Sequence, residues 1–304
     1  MASSPVPRTS PSGLSRPEIG DVVVDWYATA ARDLPWRRPG VDAWAVLVSE
    51  VMLQQTPVAR VEPVWRAWLE RWPTPADLAE ATPAEVIRAW GKLGYPRRAL
   101  RLREAAVAVV ERHGGVVPAE VAALEALPGV GTYTARAVAC FGYGQAHPVV
   151  DTNVRRVVAR VLHGRAEAGT ARAADLDDVL ALTPTDPDRA VRFSVAAMEL
   201  GALVCVAGTP RCGVCPVRDL CAWRLAGSPP DDGPPRRVQK FAGTDRQVRG
   251  RLLDVLRAAH HPVEAAGLDA VWDDAVQRSR CLDSLLTDGL VEQTADGLFT
   301  LPGS

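Results

Sequence analysis

The amino-acid sequence predicts a mainly α-helical chain that ends in a small module of different texture. Three observations carry this expectation. From Ile19 to about Leu225, apolar residues recur at helical spacing in segments bounded by Pro, Gly, Asp and Thr, without strand-like alternation. Four cysteines, Cys205, Cys212, Cys215 and Cys221, fall within seventeen residues in the spacing C-x6-C-x2-C-x5-C. Beyond a Pro- and Gly-rich stretch at 227–235, three amphipathic segments and a short hairpin pattern close the chain.

Each element has a local reason. Residues 1–16 hold no apolar run of the kind a secretory signal needs, and read as a disordered tail. Helices are expected over 44–53, 58–71, 75–80, 83–90, 97–113 and 119–126, where the periodicity is interrupted by breakers and caps. In Leu127-Pro-Gly-Val-Gly-Thr-Tyr-Thr-Ala135 two glycines make a tight turn ahead of a helix over 132–141. Asp151 stands just before a helix over 154–162. After a linker at 227–238, the segment 246–259 shows an apolar stripe of Val248, Leu252, Leu253, Val255 and Leu256. Helices over 265–272 and 275–286 follow, then a hairpin turning at Ala295-Asp-Gly. Three helices closed by a hairpin is the order of a winged helix, expected as a domain over 239–304.

Bulk properties bound the function. The chain has 304 residues, 47% hydrophobic and 23% charged, enough for two or three domains with a buried core. No stretch approaches the roughly 18 uninterrupted apolar residues of a membrane span, so no membrane partner is expected. Six cysteines without a signal point to a reducing cytoplasm, with Cys140 and Cys281 as ordinary buried thiols. A net charge of −1 makes no bulk electrostatic case for nucleic acid. Residues 1–228 hold 26 basic against 24 acidic side chains, and the remainder 9 against 12. The basic runs Arg97, Arg98, Arg101, Arg103 and Arg155, Arg156, Arg160 read as solvated helix faces. The only lysines are Lys92 and Lys240.

Four motifs hold chemistry. Four thiolates on short loops converge on a soft metal centre, either zinc or an iron–sulfur cluster. A single C-x2-C with unequal arms favours the cluster over a zinc ribbon, and two disulfides would need an oxidising compartment. In the glycine turn, the amides of Gly129, Gly131 and Tyr133 would open at a helix N-terminus as an anion site, although the same letters also suit a plain helix–helix turn. Asp151, in Pro148-Val-Val-Asp-Thr-Asn-Val-Arg-Arg156, is at minimum an N-cap. Glu50, in Ser49-Glu-Val-Met-Leu-Gln-Gln-Thr56, has Val46, Leu47, Val51 and Leu53 around it. Such surroundings raise a carboxyl pKa, while an isolated motif would read as a surface Glu on an amphipathic helix.

Taken together, these motifs resemble a known family. The cysteine spacing, preceded by Glu199-Leu-Gly-Ala-Leu-Val-Cys205, is similar to the cluster loop of the endonuclease III and MutY group of DNA glycosylases, over about Ile19 to Leu225. The octapeptide at 49–56, Gly91-Lys-Leu-Gly-Tyr95 and Leu34-Pro-Trp-Arg-Arg38 resemble the MutY-type adenine glycosylases in particular. The resemblance implies a helix-hairpin-helix glycosylase fold. A six-helix module would span about 37–150, and a module of 17–36 with 151–226 would bear a [4Fe–4S] cluster on the four cysteines. It further implies that Glu50 is the general acid protonating a leaving adenine, and that Asp151 stabilises the cationic sugar. Asn153 would orient Asp151 or a phosphate. Gln54 and Gln55 would wedge into the minor groove, Tyr95 would stack near the partner base, and Arg37 would contact adenine. Gly129, Gly131 and Arg211 would contact the phosphate backbone. Tyr133 stands in the catalytic turn where bifunctional relatives place a Lys nucleophile, so hydrolysis without strand cleavage is implied.

Two features depart from the family. The 69 residues from Arg236 are too few for the MutT-like domain that many members carry, and Tyr95-Pro96 replaces a doubled tyrosine. The expected substrate is duplex DNA with adenine opposite 8-oxoguanine or guanine, bound by a monomer whose C-terminal domain has an open partner. An endonuclease III-like pyrimidine-damage glycosylase with lyase activity is the alternative, opposed by Tyr133 and the octapeptide. A non-catalytic DNA-binding regulator would leave Glu50 and Asp151 without a purpose.

Overall fold

The computed structural model describes residues 15–231, 233 and 241–304. The expected tail up to residue 14, Lys240, and linker residues 232 and 234–238 lie outside these. In chain order the helices are α1 (Arg16–Ala30), α2 (Ala43–Leu53), α3 (Val58–Arg71), α4 (Pro75–Glu80), α5 (Pro83–Trp90), α6 (Arg97–His113) and α7 (Val121–Glu125). They continue with α8 (Thr132–Tyr143), α9 (Thr152–Val161), α10 (Ala174–Leu182), α11 (Pro187–Leu203) and α12 (Ala222–Leu225). The C-terminal module holds α13 (Asp245–Ala258), α14 (Ala265–Asp269), α15 (Ala275–Thr287), β1 (Glu292–Gln293) and β2 (Phe299–Thr300). The two strands pair antiparallel, Glu292 opposite Thr300, and Val263 bridges to Phe299 beside them. Among the described residues no helix is long and apolar enough to cross a membrane.

Helix starts follow local chemistry. Thr74-Pro-Ala-Asp77 and Thr82-Pro-Ala-Glu85 are reciprocal capping boxes with proline at the first helical position. Asp186 caps α11 ahead of Pro187, and Asp274 caps α15. Gly114, at φ +61, ends α6, and the Gly115 amide donates to the Val109 carbonyl. Two helices are shorter than periodicity suggested: 119–126 condenses to α7, and 265–272 stops at Asp269. In the second case Trp272 turns its indole Nε1 to donate to Gln277 Oε1 at 2.7 Å.

Contacts divide the chain into two compact units, residues 1–43 with 132–235 and residues 44–131 with 236–304. The first unit packs α1, α9, α10 and α11 around Ile19, Val23, Val154, Val158, Phe193, Ala196 and Leu200. Two glycines permit this approach. A Cβ at Gly20 would lie 1.9 Å from the Leu182 carbonyl oxygen, and one at Gly201 would lie 2.7 Å from Asn153 Cβ.

The second unit has a tryptophan cluster at its heart. Trp68 meets Trp72 and Trp90 edge-on at 4.7 and 5.6 Å, while the Trp65 indole donates to the Ala45 carbonyl at 2.9 Å. The C-terminal module, expected as a domain of its own, shares its core with α5. Ala84 and Ile87 pack with Val248, Leu252, Leu253, Leu256, Leu285 and Leu301. Three short helices and two two-residue strands bury too little apolar surface to stand alone, and the face of α5 supplies the remainder. The hairpin helix α8 likewise groups with the cluster-bearing residues rather than with the six-helix module.

Candidate active site and cluster loop

In the first unit the site is built from the start of α9. Asp151 is its N-cap, with Oδ1 accepting from the Val154 amide at 2.7 Å and Oδ2 from Asn153 Nδ2 at 2.7 Å. Asn153 is itself held, since its Oδ1 accepts from Arg156 Nη2 at 2.8 Å. Arg156 continues inward, donating to the Gly201 carbonyl and, through Nε, to the Cys205 carbonyl, each at 2.7 Å. One chain of bonds thus runs from the Asp151 carboxylate to the first cluster cysteine. Burial raises the Asp151 pKa, and the Val154 and Asn153 bonds oppose that rise by favouring the charged form.

Glu199, two residues before Gly201, is fully buried and takes bonds from Arg32 Nε at 2.6 Å, Arg32 Nη2 at 2.9 Å and Arg37 Nη1 at 2.7 Å. Burial alone would raise its pKa, but the two guanidiniums win and hold it at about 2. Arg37, expected to touch adenine, therefore has one guanidinium nitrogen committed to Glu199. Tyr133 lies in the first turn of α8 and packs against Ala137, Cys140 and Val149.

The four cysteines line one small cavity with Val157, Val161, Leu200, Val204 and Val217. Burial pushes the Cys205 and Cys221 thiols up and Cys215 up to about 12. Burial thus favours the protonated form of these three thiols when free, whereas a coordinated metal deprotonates its thiol ligands outright. Among the described residues no set of His, Cys, Asp or Glu closes on a single ion. Four soft donors spread around an apolar chamber fit a cluster, and a loop of two 3-10 turns, Cys212–Val214 and Arg218–Leu220, presents them. Arg160, buried beneath, donates Nη1 to the Val206 carbonyl at 2.8 Å, reaches Cys205 Sγ at 3.4 Å, and lies 4.9 Å over the Trp223 ring. Arg211 is exposed at the loop's edge.

In the second unit, Glu50 is buried on α2 beside Ser49, Val46 and Leu47. The helix ends at Leu53, and Gln54 and Gln55 form the turn beyond it, Gln55 at φ +55. Tyr95 is likewise left-handed at φ +48, and 41% exposed. Two non-glycine residues in this sparsely populated region mark strained backbone at both loops. Arg98 ties the loops together. Its Nη1 donates to the carbonyls of Val51, Met52 and Gln54 at 2.7–3.0 Å, and its Nη2 to Thr56 Oγ1 and the Gly94 carbonyl, each at 3.0 Å. Burial, aided by the like charge of Arg246, draws the Arg98 guanidinium down to about 10. The hairpin closes with the Val130 amide donating to the Leu127 carbonyl at 3.2 Å. Gly129 sits at φ +76, where a Cβ would be 2.7 Å from Arg101 Cβ, so glycine is required there. Among the described residues, its chain neighbours aside, no atom approaches the Cβ position of Gly131 within 4 Å.

The basic runs are corrected by this geometry. Arg98, Arg156 and Arg160 are structural donors to backbone carbonyls, not solvated charges, and Arg103 similarly reaches the Ala79 carbonyl at 3.2 Å. Helical periodicity shows only that an arginine lies on a face, and not which carbonyl, dozens of residues away, its long side chain meets. In the C-terminal module Arg278 and Arg280 are paired with Asp269 and Asp245 at 2.8 Å.

A helical scaffold with a glycine hairpin, a capped aspartate and a four-cysteine loop defines a helix-hairpin-helix base-excision repair protein. Residues 48–176 match the model of the HhH-GPD superfamily of base excision DNA repair proteins, and residues 205–221 that of the iron–sulfur binding domain of endonuclease III. The adenine DNA glycosylase of Mycobacterium tuberculosis (strain CDC 1551 / Oshkosh) is 63% identical over 280 residues, covering 91% of each chain. The human adenine DNA glycosylase is 46% identical over 210 residues, 66% of this chain and 38% of its own. A thermostable thymine-DNA glycosylase structure superposes with a TM-score of 0.63 at 27% identity, over 69% of this chain and 97% of that one. The chain belongs to the adenine DNA glycosylase family, and its cofactor is the [4Fe–4S] cluster.

Proposed function

We propose that the chain removes adenine from duplex DNA where adenine stands opposite 8-oxoguanine or guanine, acting as a monomer and leaving an abasic site. The observation that bears most on this reading is the double hydrogen bonding of Asp151. A carboxylate gripped by an amide and a carboxamide is held rigid, and both bonds favour its charged form against the pull of burial, as stabilisation of a sugar cation demands. Glu50, on its apolar helix, supplies the proton that the departing base needs. Asn153 aims Asp151. Gln54, Gln55 and Tyr95, on strained turns, occupy the space left by the extruded nucleotide, which costs least to flip when it is mispaired. The amides around Gly129 and Gly131, with Arg211, hold phosphates, and Arg37 borders the base. When bound, the cluster cross-links its loop. Cys205, Cys212, Cys215 and Cys221 would hold it, and Arg156 links that loop to Asn153.

The test is excision by the full chain on duplexes bearing adenine opposite 8-oxoguanine, guanine, cytosine and thymine, with hot alkali to reveal abasic sites. Cleavage confined to the first two supports the reading, and equal cleavage of all four, or of none, defeats it. Tyr133 in place of a lysine predicts no covalent adduct on borohydride treatment of an abasic duplex. A robust adduct would favour the lyase alternative.

A further inference from the structure

The turns of Gln54–Gln55 and Tyr95 open onto a broad cleft whose opposite wall is α13 of the C-terminal module. Among the described residues nine arginines and lysines line this cleft against Asp254 and Asp288, so it is strongly basic although the C-terminal segment as a whole is acidic. Part of that charge is neutralised: Arg97 and Arg249 share Asp288, and Arg257 pairs with Asp254 at 3.2 Å. Arg246, exposed at the first turn of α13, is engaged differently. Its guanidinium lies 4.5 Å over the Tyr95 ring and 6.0 Å from that of Phe241, and among the described residues no carboxylate pairs with it. A cation stacked on rings keeps its N–H edge available for an anion.

One turn further along the same face stands Gly250. Glycine weakens a helix interior, and among the described residues outside its own helix backbone nothing lies within 4 Å of where its Cβ would project. Internal packing therefore does not demand glycine here, whereas close approach of an external backbone would.

We propose that the face of α13 bearing Arg246 and Gly250 is a second wall of the DNA-binding cleft, gripping the phosphate backbone of the duplex. The C-terminal module thereby contributes affinity and holds Tyr95 in place, through contacts independent of base sequence. This rests on the proposed glycosylase reading of the cleft.

The experiment uses the full cluster-loaded chain, with Arg246→Ala, Arg246→Lys and Gly250→Leu. Binding is followed by fluorescence anisotropy across a salt series, on a fully paired duplex and on one with adenine opposite 8-oxoguanine. Arg246→Ala should weaken both duplexes by roughly fivefold and reduce the slope of log K against log salt by about 0.9. Arg246→Lys should restore the slope. Gly250→Leu should lose comparable affinity while its Tm stays level or rises, since leucine favours helix. If wild type binds and excises while Arg246→Ala and Gly250→Leu keep its affinity and slope, α13 is not a DNA contact and this inference alone falls. If wild type neither binds nor excises, the parent reading falls with it.

Discussion

At position 151 one carboxylate closes the first turn of α9 and accepts from Asn153, while burial works against its charge. Asparagine caps as well as aspartate, so Asp151→Asn should keep the fold and cut excision by roughly a hundredfold or more. The sign of the stability change follows from linkage. A carboxyl whose folded pKa is raised costs stability once ionised, and that cost disappears below the ordinary value. Thermal melting of Asp151→Asn should therefore match or exceed wild type at pH 7, any gain vanishing below about pH 4. The excision rate should fall toward acid through a limb lying above the ordinary aspartate value of 3.8. Glu199 has the opposite sign. Held at about 2, it contributes stability that is fully present above about pH 4.3 and lost as pH falls toward 2. Glu199→Gln should lower unfolding free energy by up to about 3 kcal/mol near neutrality, with little difference remaining at pH 2. Sequence pattern marked Asp151 but not this role for Glu199, because nothing in local spacing shows that Arg32 and Arg37 return to it from 167 and 162 residues away.

Among the elements, helix starts were legible because a cap is a local event: threonine, proline and an acidic residue within four positions specify α4 and α5. The link between the Gln54 and Tyr95 turns was not legible, since it depends on Arg98 reaching back from α6 to the end of α2. Lysine cannot reproduce five donors in a planar fork. Arg98→Lys should keep the helical circular dichroism yet speed amide exchange at Gln54–Thr56 and Gly94–Tyr95. Excision should drop roughly tenfold as the turns lose alignment. Unchanged exchange in that variant would show that the turns hold themselves.

For the molecule as a whole, the shared core of α5 with α13 and α15 makes the C-terminal module part of the scaffold. Deletion from Arg236 should uncover Ala84 and Ile87, lower Tm by several degrees and promote aggregation, so point variants are the better probes of DNA contact. Cys212→Ser should remove the brown colour and iron of the cluster. Because Arg156 bridges the Cys205 carbonyl to Asn153, it should also loosen the start of α9, seen as faster exchange at Val154. Retained iron would mean that three thiolates suffice.

The amino-acid sequence by itself determined the helices, their caps, the four-cysteine spacing and the residues of the glycosylase motifs, because periodicity, capping and ligand spacing are encoded within a few turns of chain. Only the tertiary structure decided that Arg98, Arg156 and Glu199 organise those motifs, and that a net-acidic tail presents a basic cleft wall beside Tyr95. The reason is physical: long side chains find their partners according to how helices distant in sequence pack, and net charge over a segment says nothing about which face its arginines occupy.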